Sequence, residues 1–177
     1  MFKATIEIDD RQLKAAFNRL TNDVPSRDLM GEIGQEAASL VDLTFVESKD
    51  PWGRPWEPLK FRDGQPLLDT GTHLASTVNH KVDGDDSVTV GVAASFAATH
   101  QFGATIKPKS AKRLVFQPRG FPHPIFAKQV TIPARPFMPI REGGNTDLPG
   151  DWRDSLEQIV TDHIEKILAN DIDRRAA

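Results

Sequence analysis

Apolar residues recur every three or four positions in three segments of the chain, which predicts three helices. The first follows a short predicted strand over residues 5–8 and continues to about Leu20. The second is predicted from Arg27 to Glu47. The third is predicted over residues 151–170, with one broad apolar face that comprises Trp152, Leu156, Ile159, Val160, His163, Ile164, Ile167 and Leu168.

The apolar period becomes two after Thr77, which is the spacing of β-strands. Valines alternate along residues 78–82 and 88–92, and the intervening Asp-Gly-Asp-Asp segment suits a hairpin turn. A short helix over residues 96–101 is predicted to end at Gly103, because glycine readily adopts the backbone conformation that follows a helix end.

Prolines are concentrated between Ile106 and Pro139, a stretch that holds seven of the thirteen in the chain. Proline lacks the N–H that a central strand needs, so the short extended runs in this stretch predict an irregular β-hairpin. We interpret residues 104–140 as a long, projecting hairpin arm. The chain is therefore predicted to be a single α+β domain over residues 1–177. In it, a small antiparallel sheet is packed by the long helix and the C-terminal amphipathic helix.

Charge is distributed unevenly, although the net charge is only −3. Residues 87–141 contain eight Lys and Arg and no Asp or Glu, so the rest of the chain carries a net −11. Candidate DNA-facing cations cluster in the arm: Lys107, Lys109, Lys112 and Arg113. They would contact phosphates without reading bases. The alternative is a solvated hairpin whose lysines prevent edge-to-edge aggregation.

The sequence offers no set of residues typical of an enzyme. The absence of cysteine excludes disulfides and thiolate metal sites, and no His-x-x-x-His pair, Gly-x-Ser-x-Gly elbow or phosphate-binding glycine loop occurs. We therefore assign no catalytic, metal-binding or cofactor-binding residue and expect a non-enzymatic protein. No segment has the roughly 18 consecutive apolar residues of a membrane span, so no membrane partner is expected.

Three motifs, in this order, carry a family resemblance. The first spans residues 50–56 (DPWGRPW). The second begins with residues 67–71 (LLDTG) and ends with residues 100–103 (HQFG), and the third spans residues 132–137 (IPARPF). Together with the terminal helix they resemble the phage virion morphogenesis family, which includes the Mu-like and S-type tail-completion proteins.

The resemblance implies a structural, non-enzymatic protein of tailed phages or prophages that acts in tail completion and head–tail joining. It implies a ring-forming subunit at the neck or tail end, and tail symmetry implies six copies. The implied partners are further copies of the chain, a tail-tube or tail-terminator protein, and a head-connector protein. The implied location is the neck or tail end of the virion, after assembly in the host cytoplasm. A sequence-independent DNA-binding protein that uses the basic arm is the alternative.

Two of the motifs supply candidate subunit-interface residues. Phe102 is expected to be buried, Gln101 to bond backbone, and Arg135 to form a forked bond with a carboxylate. Packing within the chain and contact between subunits explain both motifs equally well, whereas packing against the core is favoured for Trp52 and Trp56. The candidate interface residues are His100, Gln101, Phe102, Gly103, Arg135, Pro136 and Phe137.

Overall fold

The computed structural model describes residues 26–60, 63–68, 74–118, 121–141 and 146–176, with side chains up to residue 170. Within these ranges the chain is α+β, with two long helices and three two-stranded antiparallel sheets, which confirms the predicted fold class. The strand and helix predicted before Leu20 lie outside the described residues.

Helix α1 (Arg27–Glu47) has the bounds that its apolar spacing predicts. Ser26 caps its first turn, because the Ser26 hydroxyl accepts a hydrogen bond from the backbone N–H of Leu29 at 3.1 Å. The helix ends at Ser48, whose left-handed backbone (φ 54°) turns the chain away. Its inner face buries Leu29, Gly34, Ala38, Val41, Thr44 and Phe45.

Strands β1 (Val78–Val82) and β2 (Val88–Val92) form the predicted hairpin, in the register Val78 opposite Val92. A single-turn 3-10 helix (Ala75–Thr77) leads into β1. The hairpin packs on α1 at Gly34, where an added Cβ would lie 2.7 Å from the side chains of His80 and Val88. The missing side chain therefore allows the helix and the sheet to approach closely.

The arm is a nested hairpin that starts directly after helix α2 (Ala97–Phe102). Strand β3 (Ala104–Ile106) pairs with β6 (Val130–Ile132), and β4 (Leu114–Phe116) pairs with β5 (Ile125–Ala127). The pairing ends at Ile132, although the arm was predicted to continue to residue 140. Residues 133–140 instead return to the body, where Phe137 is buried in the core and only 2% exposed.

Helix α3 (Gly150–Ala176) packs along α1 and is longer than the predicted 151–170. Trp152 in its first turn is buried, and the residues of the predicted apolar face are half-buried as far as Ile167. Leu168 was assigned to that face but is 43% exposed.

One aromatic cluster joins these elements. Phe45 of α1 packs edge-on against Trp56 at 5.8 Å between ring centroids and stacks on Phe137 at 5.2 Å. Val41, Leu74 and Trp152 complete the buried cluster. The core is therefore built from α1, the loop after it, the segment after the arm and the start of α3, so that it fixes the base of the arm.

Candidate functional site

The described parts of the three sequence motifs meet at the base of the arm. The loop of residues 50–56, helix α2 and the segment after β6 are far apart in the chain, yet hydrogen bonds connect the loop and the helix to that segment. We call this meeting point the motif junction and define it by Trp56, Gln101, Gly103, Arg135 and Phe137. It is the place where the arm joins the body.

Gln101 holds the junction together through its side-chain amide. Its oxygen accepts hydrogen bonds from the backbone N–H groups of Phe137 and Met138, both at 3.0 Å. Its nitrogen donates to the carbonyls of Met138 at 2.9 Å and Ile140 at 3.1 Å. All four hydrogen-bonding positions of this 4% exposed side chain are therefore used, which confirms the prediction that Gln101 bonds backbone.

Arg135 is buried, and its guanidinium forms a fork with a backbone carbonyl, while the predicted bond to a carboxylate stays a prediction. Its Nε and Nη2 both donate to the backbone carbonyl of Glu57, at 3.0 and 2.8 Å, and Nη2 also lies 3.4 Å from the carbonyl of Pro58. The backbone N–H of Arg135 donates to the carbonyl of His100 at 2.7 Å. The fork thus ties the segment after the arm to the loop after residue 56, because a carbonyl is a good acceptor for a planar guanidinium.

Gly103 is required where α2 passes the returning segment. Its φ of 74° lies in the region that L side chains rarely adopt. An added Cβ would meet the backbone nitrogen of Ala134 at 2.9 Å and the carbonyl of Ile132 at 3.0 Å. Both neighbours are backbone atoms, so the contact has little room to relax.

The two tryptophans of the first motif have different environments. Trp56 is buried in the core, and its Nε1 donates to the carbonyl of Pro136 at 2.8 Å. Trp52 is half-buried, and the guanidinium of Arg141 lies 4.2 Å above its ring. The carboxylate of Asp50 stabilises the loop by accepting from the N–H groups of Trp52 and Arg54. The expectation that Trp56 packs against the core is confirmed.

The candidate interface residues divide into two groups. Gln101, Arg135 and Phe137 are buried within their own chain, whereas Phe102 is 44% exposed and is therefore not buried as predicted. Phe96, at the other end of α2, is also exposed, at 42%. His100, Gly103 and Pro136 are half-buried. A single chain does not test the assignment to a subunit interface, and that assignment stays a prediction.

His100 lies at the edge of the motif junction, where its surroundings disfavour the protonated form of its ring. Burial, and then the positive charge of Arg135, lowers the pKa of His100 below its usual 6.5. Its ring packs edge-on against Phe96 at 5.9 Å, and its buried Nδ1 has no hydrogen-bond partner in the described part of the chain. The neutral ring is therefore the favoured form.

An apolar cavity of about 370 Å³ lies beside His100, between the inner face of the arm and the loop after the first motif. Leu59, Phe116, Val130 and Ile132 are among the apolar residues of its wall. Among the described residues, no three His, Asp or Glu side chains come close enough to hold a metal ion. The described helices likewise include none that is long and apolar enough to cross a membrane.

The arm exposes both cationic and apolar side chains, and we call the side that exposes Val115 and Phe126 its outer face. Lys107, Lys109, Lys112 and Arg113 are exposed, and none of them forms an ion pair in the ranges that the structure describes. Val115 and Phe126 lie directly opposite each other on β4 and β5 and are 60% and 58% exposed. This apolar pair was not among the predicted site residues. Its signal was the alternation of residues 114–116 and 125–127, which directs every second side chain outward.

Comparison with known proteins gives two findings. The model of the phage virion morphogenesis family matches residues 8–168. The Mu-like prophage FluMu G protein 2 of Haemophilus influenzae (strain Rd) is 30% identical over 157 residues, which cover 88% of this chain and 97% of that protein. No solved structure matches the chain.

Proposed function

Because this chain belongs to the phage virion morphogenesis family, with a role in building the phage particle, we propose that it completes the tail and joins it to the head. In this proposal the chain is a non-enzymatic subunit of a ring at the neck or tail end of the virion. It assembles in the host cytoplasm. Its partners are further copies of itself, a tail-tube or tail-terminator protein and a head-connector protein.

The observation that carries the ring proposal is the contrast between the two ends of the arm. The base is held by the four hydrogen bonds of Gln101 and the fork of Arg135, whereas the outer face exposes Val115 and Phe126. Exposed apolar side chains on a rigid support are typical of a surface that a partner covers. A heterologous contact that closes by rotation forms a ring, and tail symmetry favours six copies.

The uneven distribution of charge along the chain also supports contacts between copies. The eight cations of residues 87–141 have no acidic residue within that stretch, while the remainder of the chain is strongly acidic. Contacts between the basic arm of one copy and an acidic surface of the next would neutralise both. The candidate interface residues around Phe102 lie at the base of the arm and would support the same contact.

Loss of the protein in a phage or prophage that encodes it tests the proposal. We expect lysates of the deletion mutant to contain separate DNA-filled heads and separate tails in electron micrographs, and expression in trans to restore joined particles. Normal joined particles in the deletion mutant would contradict a role in tail completion. Missing heads or missing tails would place the protein at a different step of assembly.

A sequence-independent DNA-binding protein is the second candidate, favoured by the exposed cations of the arm. Replacing Lys107, Lys109, Lys112 and Arg113 with serine should then weaken DNA binding strongly and flatten its salt dependence. The matched control removes four cations outside the arm: Lys49, Lys60, Lys81 and Lys166. Equal loss of DNA binding in both variants would indicate a general charge effect and would contradict a DNA-binding arm.

A further inference from the structure

An open groove of about 470 Å³ lies between the two long helices, away from the motif junction. Gly31 and Gln35 of α1 and Ile159 of α3 line it. A Cβ added at Gly31 would meet no atom within 4 Å, so the space above this glycine is empty. The half-buried Ile159 gives the groove an apolar wall.

The groove is rimmed by more negative than positive charge. Glu32, Glu36 and Asp162 contribute three carboxylates, against the single ammonium of Lys166. Lys166 lies 3.5 Å from Glu32, so its charge is already matched within the groove. Glu36 and Asp162 are left to attract a cation from outside, because neither forms an ion pair in the described part of the chain.

The outer face of the arm has the complementary composition. Val115 and Phe126 form its exposed apolar centre. Arg113 lies directly before β4 and Lys128 directly after β5, and both are exposed, so two cations flank the apolar pair. The face therefore presents an apolar pair beside two cations, whereas the groove presents an apolar wall beside two carboxylates.

We propose that the outer face of the arm docks in the α1–α3 groove of a second copy of this chain. The occupant is a second copy because the charges of the two surfaces are opposite and both surfaces belong to every copy. Arm and groove are different surfaces, so each copy offers its arm to one neighbour and its groove to the other. This inference rests on the proposed ring and specifies its subunit contact.

Filling the groove tests the docking directly. The substitution Gly31→Trp places a large side chain in the empty space, and Gly31→Ala is the matched control because it adds only a methyl group there. In sedimentation velocity across a concentration series of the full chain, wild type and Gly31→Ala should form the same closed assembly. Gly31→Trp should need at least about tenfold more protein to assemble, as expected for the loss of a central contact.

Charge reversal gives an independent test, because it acts through the charges of the two surfaces. Two double variants should each weaken assembly by at least about tenfold. One is Arg113→Glu with Lys128→Glu in the arm, and the other is Glu36→Lys with Asp162→Lys in the groove. The chain that carries all four substitutions should regain assembly, since its arm and groove are again opposite in charge. Circular dichroism of each variant confirms that it is folded.

The outcomes separate the docking from the function on which it rests. Closed assemblies that persist in Gly31→Trp and in both charge pairs would overturn the docking while leaving the ring intact. Failure of the combined variant to recover, in a folded chain, would also overturn it. A wild-type chain that stays monomeric at every concentration would overturn the ring itself.

Discussion

The side-chain oxygen of Gln101 accepts the backbone N–H of Phe137 at 3.0 Å, although the two residues are 36 positions apart and the whole arm lies between them. Both are buried, and the ring of Phe137 stacks on Phe45 of α1. The two ends of the arm are thereby held to each other and to the core. An arm supported in this way loses little conformational entropy when a partner covers it.

Replacing Gln101 should lower the free energy of unfolding strongly, because this one side chain forms four hydrogen bonds with backbone groups. In Gln101→Met the N–H groups of Phe137 and Met138 lose their acceptor, and we expect a loss of about 3 kcal/mol in the free energy of unfolding. Gln129→Met is the matched control, because Gln129 is exposed. Urea unfolding of both variants measures the difference, and equal midpoints would contradict the role assigned to the amide.

Arg135→Lys should show that the guanidinium fork stabilises the fold beyond the effect of its charge. A lysine ammonium keeps the charge but does not reproduce the paired Nε and Nη2 bonds to the carbonyl of Glu57. We expect a loss of about 2 kcal/mol in the free energy of unfolding, against almost none for the exposed Arg54→Lys. If Arg135→Lys unfolds at the wild-type urea concentration, the fork contributes nothing to stability.

Two glycine-to-alanine substitutions should change stability in opposite directions. Gly103→Ala forces a Cβ against two backbone atoms at a φ of 74°, so a loss of about 3 kcal/mol is expected. Gly31→Ala adds a methyl group in open space inside α1 and should stabilise the chain by up to about 1 kcal/mol. Thermal or urea unfolding measures both, and a loss of stability in Gly31→Ala would contradict the open environment described for it.

The stability of the chain should fall in mild acid because of His100. Burial lowers the pKa of His100 in the folded chain below its usual 6.5, so the unfolded chain takes up a proton at a higher pH. The contribution of neutral His100 to the free energy of unfolding is therefore complete at pH values above the pKa of the unfolded chain. It is lost as the pH falls from that value toward the lower pKa of the folded chain.

Urea unfolding at pH 8 and pH 5 measures this dependence. The drop in stability between the two values should be smaller in His100→Gln than in wild type, because the variant has no imidazole to protonate. His123→Gln is the control, since His123 is exposed on the arm. An unchanged drop in His100→Gln would mean that other groups cause the acid sensitivity.

Local patterns predict the elements of this fold well wherever one face of an element is buried. The bounds of α1 follow from apolar spacing between Ser26 and Ser48, and the β1–β2 hairpin follows from its valines and the turn that joins them. The pairing of the arm follows from extended runs between prolines. The residue at which the arm ends was harder to predict, because only the burial of Phe137 in the core shows that residues 133–140 return to the body.

The candidate site was predicted only in part, for a physical reason. Its residues were identified as motifs, but the fork of Arg135 onto a backbone carbonyl was not, because no side chain in the sequence marks such a group. Phe102 has an apolar side chain next to the buried Gln101, yet the turn of α2 directs it outward. The groove between α1 and α3 depends on how two distant helices pack, which no local pattern contains.

The mass of the assembled wild-type particle tests the central claim, that the arm is completed by other copies of the chain. Native mass spectrometry and electron microscopy of the concentrated full chain should both find closed rings, with six copies as the expected number. A population that contains only monomers at every protein concentration, or open chains that never close, would contradict the account.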